Sequence, residues 1–204
     1  GIIRPAQLKH TTYGGKIDLS KNECRSFRFD SSWVVADETD MSVPFSAGAI
    51  ISTPSDICHF AEWLFSGQAL SEKSLKEMQT MKENVGMGLF AIPFFSRQGY
   101  GHTGGIDEFR TVYAYFPDGK VSYALFSNGS TYNNNDITIA VLKAAYGLEF
   151  TLPDFSEKKL PQGELNKFLG VYASAQIPIK ITFTSKNGRL VSDRKSTRLN
   201  SSHV

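Results

Sequence analysis

The sequence lacks the features that would place it in several specialised classes of protein. Its 204 residues include two cysteines, Cys24 and Cys58, which are too few for a disulfide framework and form no C-x-x-C pair of the kind that binds metal. No apolar run approaches the length of a transmembrane helix. The formal net charge of +2 gives no reason to expect binding to nucleic acid or to an anionic membrane. No carboxylate–histidine spacing indicates a metal site, so neither a metal nor another cofactor is expected.

An initiating methionine and a signal peptide are also missing. Residues 1–5, G-I-I-R-P, resemble the interior of a longer chain, so the missing signal does not indicate a compartment. What is present is an ordinary globular composition, with 41% apolar residues and 17 glycines. A chain of this length is enough for one domain, or for one domain and part of another.

An imidazole, a threonine hydroxyl and three glycines are concentrated in residues 100–106, Y-G-H-T-G-G-I. Two apolar, β-rich runs follow at Phe109–Phe116 and residues 120–126, and Asp118 with Gly119 forms a strong hairpin signal between them. This pattern predicts a polar, glycine-lined site on one strand of an antiparallel sheet.

Helical patterns flank the β-rich part of the chain. Thr53 suits the N-cap and Pro54 the first position of a helix that stops at Gly67. A second helix is expected over residues 72–82, and a third begins at Asn134. Strands are expected at residues 86–93, 100–105, 109–116 and 120–128. The order helix, helix, four strands, helix predicts an α+β fold, an antiparallel sheet with packed helices, and not alternating βαβ units.

The composition changes after residue 152. Residues 153–163, with Pro153, Pro161 and Gly163, read as a linker. Strands predicted over residues 165–171 and 177–183 begin a second, β-rich unit over residues 164–192, which is too short to bury a core of its own. Residues 193–204 show no apolar period. One reverse translation of them resembles a common sequencing adapter, which predicts an artefactual tail; a disordered basic tail is the alternative.

Three stretches together resemble the serine β-lactamase-like hydrolases. They are residues 47–56 (A-G-A-I-I-S-T-P-S-D), residues 101–106, whose H-T-G resembles the K-T-G triplet of the third family motif, and residues 116–129, the hairpin that ends in S-N. This family includes class C β-lactamases, D-Ala-D-Ala carboxypeptidases, D-aminopeptidases and esterases. The resemblance covers about residues 1–150 and implies the C-terminal part of the β-lactamase/transpeptidase-like fold. It also implies that the second unit starts a small β-barrel domain, and that the protein is periplasmic, secreted or membrane-anchored.

The resemblance assigns roles to four consecutive residues. In the family mechanism a serine attacks a carbonyl, an acyl-enzyme forms, and water releases it. Gly105 would donate one backbone N–H to the oxyanion, and His102 would relay a proton near neutral pH. Thr103 would bind a polar group of the substrate, and Gly104 would let the substrate lie along the strand. The expected partner is therefore a small-molecule or peptide substrate.

The family's S-x-x-K and Y-x-N motifs, which supply the nucleophile and a phenolic base, do not precede the H-T-G. The matches at residues 156–159, 192–195 and 132–134 are interpreted as chance, because they lack the structural context of the motifs. We therefore expect an N-terminally truncated serine hydrolase, inactive as written, whose parent acts on a D-amino-acid peptide, a β-lactam or an ester. His102 in place of lysine favours peptidase or esterase activity.

Two alternatives remain open at this point. One is a pseudoenzyme or ligand-binding module of the same fold, and the other is an unrelated α+β binding domain, which a structure without an open sheet edge at residues 101–105 would favour.

A smaller departure from the family pattern is Glu108, where the family often has glycine. Its carboxylate is expected either to pair with Arg110 or to alter the mouth of the site.

Overall fold

The computed structural model describes residues 1–156, 160–174 and 177–195. The chain divides into two compact units, with the boundary between Asp154 and Phe155. This boundary falls within the linker predicted over residues 153–163, of which residues 157–159 lie outside the described residues.

The first unit is built on antiparallel sheets with packed helices. Its main sheet has four strands in the order β5-β6-β7-β8, and two small two-stranded sheets pair β1 with β4 and β2 with β3. The strands are β1 (Thr12–Tyr13), β2 (Phe27–Asp30), β3 (Ser32–Val35), β4 (Ile50–Ile51), β5 (Phe90–Phe94), β6 (Arg97–Ile106), β7 (Phe109–Phe116) and β8 (Val121–Ser127), and the helices are α1 (Pro54–Phe65), α2 (Glu72–Gln79) and α3 (Asn134–Ala145). The predicted fold class and the order of helices and strands are confirmed.

Helix α1 starts where its capping residues predict. The Thr53 hydroxyl accepts a hydrogen bond from the Asp56 amide at 3.3 Å, and Pro54 occupies the first turn, where a missing N–H costs nothing. Its rings at Phe60 and Phe65 contact two tyrosines of β7. The helix therefore packs on the face of the sheet that carries Tyr113 and Tyr115.

Helix α3 covers the opposite face of the sheet. Its N-cap is Asn133, whose side chain accepts from the Asn135 amide at 3.0 Å. Leu142 of this helix is buried against Ala114 and Phe116, which alternate along β7 with the tyrosines and so point to the other side. The core lies between sheet and helix, and burying a side chain the size of Phe116 contributes about 2 kcal/mol.

A charged cluster joins the two turns at the end of the sheet where β6 begins. The Arg97 guanidinium lies 3.1 Å from the Asp118 carboxylate and 4.2 Å from the centroid of the Tyr146 ring. The Tyr146 hydroxyl donates to Asp118 at 3.0 Å. These contacts tie the β5–β6 turn, the β7–β8 hairpin and the end of α3 together.

The bounds of α2 and β5 differ from the predicted ones. Helix α2 stops at Gln79, three residues before its predicted end, and β5 covers Phe90–Phe94 where a strand was expected over residues 86–93. The chain before β5 forms isolated bridges and turns, with positive φ at Glu83, Asn84 and Gly88. Left-handed residues of this kind interrupt a regular strand.

The second unit contains helix α4 (Gln162–Asn166) and a three-stranded antiparallel sheet of β9 (Gly170–Ser174), β10 (Ile177–Lys186) and β11 (Arg189–Lys195) in the order β11-β10-β9. The strand predicted over residues 165–171 is wrong. Pro161 precedes a helical turn that buries Leu165, and the strand starts at Gly170, whose φ is +145°.

Asn187 and Gly188 form the turn between β10 and β11, with positive φ at both residues as a tight hairpin requires. Strand β11 includes residues 193–195 of the predicted tail, and the rest of that tail, residues 196–204, lies outside the described residues. Within the part of the chain that the structure describes, no helix is long and apolar enough to cross a membrane.

Candidate functional site

Strand β6 has an open edge at the predicted site. The register between β5 and β6 ends at the pair Phe90–Gly101, whereas β6 pairs with β7 as far as Ile106. Among the described residues, β7 is therefore the only strand partner of the stretch from His102 to Ile106. An unpaired strand edge offers backbone N–H and C=O groups to an extended ligand. This geometry disfavours the alternative of an unrelated binding domain.

The two glycines after Thr103 differ in the space that the fold leaves for a side chain. A Cβ on Gly104 would lie 2.5 Å from the Thr111 Oγ1, so the Thr111 side chain of the opposite strand would have to rotate away to make room for one. A Cβ on Gly105 would have its nearest neighbour, the Arg110 Cδ, at 3.6 Å, an ordinary contact. Packing thus explains Gly104, but it does not explain why position 105 lacks a side chain.

The imidazole of His102 is held in one orientation. Its Nδ1 lies 2.6 Å from the Thr103 carbonyl oxygen, and because a carbonyl only accepts, the Nδ1 carries the proton. The ring also stacks on Phe90, with centroids 4.1 Å apart and planes 21° apart. In the neutral ring, Nε2 is then the basic nitrogen. Sequence reasoning missed Phe90, because its contact with His102 depends on where β5 begins.

Directly opposite His102 in the ladder lies Tyr113 of β7. Burial raises the pKa of the Tyr113 phenol above its ordinary value. This phenol therefore stays protonated near neutral pH, so it does not supply the phenolic base that the family's Y-x-N motif would provide.

The side chain of Thr103 opens into a cavity of about 420 Å³ between the sheet and the start of α3. Its lining combines apolar and polar residues. It is lined by Ile92, Pro93, Phe94, Thr103, Arg110, Thr111, Val112, Leu125, Asn134, Asn135, Thr138, Ile139 and Leu142.

The permanent cation nearest to Gly105 is Arg110, which lies opposite it in β7. Its Nη1 donates to the carbonyl oxygens of Asp107 and Phe109 at 3.0 and 2.7 Å, and its Nη2 lies 3.6 Å from the Glu108 carboxylate. Pairing of Glu108 with Arg110, one of the two expectations for this position, is thus confirmed.

The tip of the β6–β7 hairpin is held by residues far away in sequence. The Asp107 carboxylate accepts from the Thr39 hydroxyl at 2.5 Å and from the Thr39 amide at 3.2 Å. The Glu108 amide donates to the hydroxyl of Ser26 at 3.3 Å, and Ser26 is buried. An aspartate at a turn is a local signal for left-handed backbone, but nothing local identifies Thr39 or Ser26 as its partners.

The other candidate motifs stay away from this edge. The match at residues 132–134 caps α3 through Asn133. In the match at residues 156–159, residues 157–159 lie outside the described residues, and the match at residues 192–195 lies on β11. Cys58 is half-buried, and burial raises the pKa of its thiol. No group of three or more His, Cys, Asp or Glu side chains in the described part of the chain could hold a metal ion.

Comparisons with known proteins agree with the fold of the first unit. The family model described as Beta-lactamase matches residues 1–148. The D-amino acid amidase from Ochrobactrum anthropi SV3 complexed with D-phenylalanine is 27% identical with a TM-score of 0.58, over 70% of this chain and 51% of that one. The D-stereospecific amidohydrolase from Streptomyces sp. is 25% identical with a TM-score of 0.53, over 63% of this chain and 42% of that one.

A third structure extends the similarity in fold to both units. The octameric penicillin-binding protein homologue from Pyrococcus abyssi is 18% identical with a TM-score of 0.61, over 95% of this chain and 48% of that one. The chain thus spans about half the length of the solved structures it matches.

Proposed function

The chain belongs to the beta-lactamase family, and from this premise we propose that residues 1–152 form one wall of the acyl-transfer site of a serine hydrolase acting on an amide or ester. The observation that carries the proposal is the open edge of β6, which begins at His102, the first residue of the H-T-G triplet. The linker and the second unit are then an appendage to this hydrolase domain.

The proposed chemistry uses four neighbouring residues. The Gly105 amide donates to the oxyanion of the tetrahedral intermediate, and a donor of this kind is typically worth about 3 kcal/mol of transition-state stabilisation. His102, with the proton on Nδ1, accepts or returns a proton through Nε2. The Thr103 hydroxyl binds a polar group of the substrate, and Gly104 lets the substrate lie along the strand edge.

The proposed substrate class is an amide of a D-amino acid. Its support is the similarity to the D-amino acid amidase complexed with D-phenylalanine and to the D-stereospecific amidohydrolase. His102 in place of the family's lysine also leaves the triplet without a permanent cation for a β-lactam carboxylate. Peptide and ester substrates are compatible with the same edge.

A second candidate is a ligand-binding module that keeps the fold without the chemistry. It is favoured by one observation, that neither S-x-x-K nor Y-x-N precedes residue 102 in the chain. The same observation leads us to propose that the 204-residue chain does not turn over substrate by itself. The coding sequence upstream separates the candidates, because both motifs within the preceding few hundred residues would support the hydrolase.

Ligand binding tests the proposal on the chain itself. We expect D-phenylalanine added to the ¹⁵N-labelled protein to shift the amide signals of Gly104 and Gly105, and the shifts to be lost in Thr103→Val. The same protein should leave nitrocefin and p-nitrophenyl esters intact. Unchanged glycine signals at saturating ligand would refute the D-amino-acid assignment, and turnover by the purified chain would refute the proposed inactivity.

A further inference from the structure

We propose that Asp107 and Thr39 are positioning residues that fix the oxyanion donor Gly105. Together with Ser26 and Glu108 they form a set of contacts that we call the hairpin clamp. The inference rests on the role proposed for Gly105 and extends it to residues that do not touch the substrate.

The need for a clamp follows from the strand itself. From His102 to Ile106, β6 has a strand partner on one side only among the described residues, and its glycines have no side chain to anchor them. Glycine also has the largest conformational freedom of any residue. The position of the Gly105 amide therefore depends on what holds the chain immediately after it, and Asp107 is two residues further on.

The contacts at Asp107 hold both its side chain and its backbone. The two carboxylate oxygens accept from the hydroxyl and the amide of Thr39, at 2.5 and 3.2 Å. The Asp107 carbonyl oxygen accepts from Arg110 at 3.0 Å. Its φ is +49°, a left-handed conformation that an aspartate tolerates but that needs support from its surroundings. Hydrogen bonds to a charged acceptor are among the stronger ones in proteins.

The segment that carries Ser26 is itself fixed to the sheet. The Phe27 amide donates to the Asn128 carbonyl oxygen at 2.7 Å, and the Asn128 side-chain amide donates to the Arg25 carbonyl oxygen at 2.9 Å. Ser26, between these two contacts, holds the Glu108 amide. The hairpin tip is therefore tied back to the end of β8 and not to a free loop.

Conservative substitutions test the clamp on the full chain. Asp107→Asn keeps the size and the tolerance for positive φ but replaces one acceptor by a donor, and Thr39→Val removes the hydroxyl while Thr39→Ser keeps it. We expect Asp107→Asn and Thr39→Val to broaden or split the ¹⁵N amide signals of Gly104 and Gly105. Thr39→Ser should restore the wild-type spectrum.

The matched control lies at the other end of β6. Tyr146→Phe removes a hydrogen bond to Asp118 and should lower the melting temperature while leaving the two glycine signals unchanged. If Asp107→Asn and Thr39→Val leave these signals as in the wild type, or if Tyr146→Phe broadens them equally, the clamp has no positioning role. If Asp107→Asn does not fold, the comparison of Thr39→Val with Thr39→Ser shows whether the clamp has a positioning role.

A second measurement separates this inference from the proposed function. D-phenylalanine should bind to Asp107→Asn and Thr39→Val about tenfold more weakly than to wild type, the equivalent of one charge-assisted hydrogen bond, and to Thr39→Ser normally. If wild type does not bind D-phenylalanine, the substrate assignment fails. The glycine signals then still show whether the clamp has a positioning role. Normal binding by both disrupted variants would overturn the positioning role.

Discussion

Gly105 and Arg110 face each other across the β6–β7 ladder, and a Cβ added to Gly105 would lie 3.6 Å from the Arg110 Cδ. The same construction at Gly104 places the Cβ 2.5 Å from the Thr111 Oγ1, and at Gly101 it overlaps the carbonyl oxygen of Tyr113. An added side chain would thus meet a side-chain atom at Gly104 and the backbone at Gly101. Only at Gly105 does the fold leave room for one.

The first prediction is a rank order of stability for alanine substitutions in β6. Gly105→Ala should cost less than about 0.5 kcal/mol. Gly104→Ala should cost about 1 kcal/mol, because the Thr111 side chain can rotate away, and Gly101→Ala should cost about 3 kcal/mol, because the obstacle is backbone. Urea unfolding of the three variants measures this order. A Gly105→Ala variant as unstable as Gly101→Ala would show that packing, and not ligand access, requires Gly105.

The second prediction concerns the pH dependence of stability through Asp56. This carboxylate is buried and accepts from the Thr11 hydroxyl and the His10 amide, both at 2.7 Å. Burial by itself raises the pKa of Asp56, but these hydrogen bonds outweigh it and lower the pKa below its ordinary value. The bonds hold the segment before β1 against the first turn of α1.

The direction in which stability changes with pH follows from the shift in the pKa of Asp56. Because the pKa of Asp56 is lower in the folded than in the unfolded chain, its stabilisation is fully present above the unfolded value and is lost as the pH falls through the folded value. Asp56→Asn should lose about 2 kcal/mol at pH 7 and should have a flatter decline in unfolding free energy from pH 5 downwards. Parallel declines in wild type and variant would contradict this assignment.

The local signals of the fold could be predicted from sequence. Thr53 with Pro54 predicted the start of α1, and Asp118 with Gly119 predicted the β7–β8 hairpin, because capping and turn chemistry act between residues a few positions apart. The strand predicted over residues 165–171 failed, because the spacing of the apolar residues Leu165, Phe168 and Leu169 fits a helical turn as well as a strand.

Only part of the candidate site could be predicted from the sequence, and the reason is a different one. Residues 102–105 stand together in sequence, so their proximity in β6 needed no folding argument. The open edge depends on where β5 begins, and the clamp joins residues separated by 68 and 82 positions. Contacts at such separations are set by tertiary packing, on which a single sequence carries no periodic signal.

The third prediction is a difference in reactivity between the two thiols. Cys24 is exposed and Cys58 is partly buried on α1, where burial raises the pKa of its thiol. Because the thiolate is the reactive form, a disulfide reagent at pH 7 should modify Cys24 quickly and Cys58 at least about tenfold more slowly. Cys24→Ser should leave only the slow phase. Two equally fast thiols would mean that α1 does not pack on the sheet as described.

The fourth prediction fixes the tautomer of His102. The Thr103 carbonyl oxygen accepts from Nδ1 at 2.6 Å, so the neutral imidazole should carry its proton on Nδ1, the reverse of the form that predominates in free histidine. Long-range ¹H–¹⁵N correlation spectra above pH 8 distinguish the two forms directly. His102→Gln identifies the signals by their loss.

Phe90 provides the matched variant for this measurement. Its ring stacks on the imidazole at a centroid distance of 4.1 Å, so Phe90→Leu should keep an apolar residue there but let the ring rotate and the two tautomers mix. A proton found on Nε2 in the wild type would leave Nδ1 as the basic nitrogen, pointing at a carbonyl oxygen instead of at a substrate. The proton relay proposed for His102 would then require a different rotamer of the ring from the one observed.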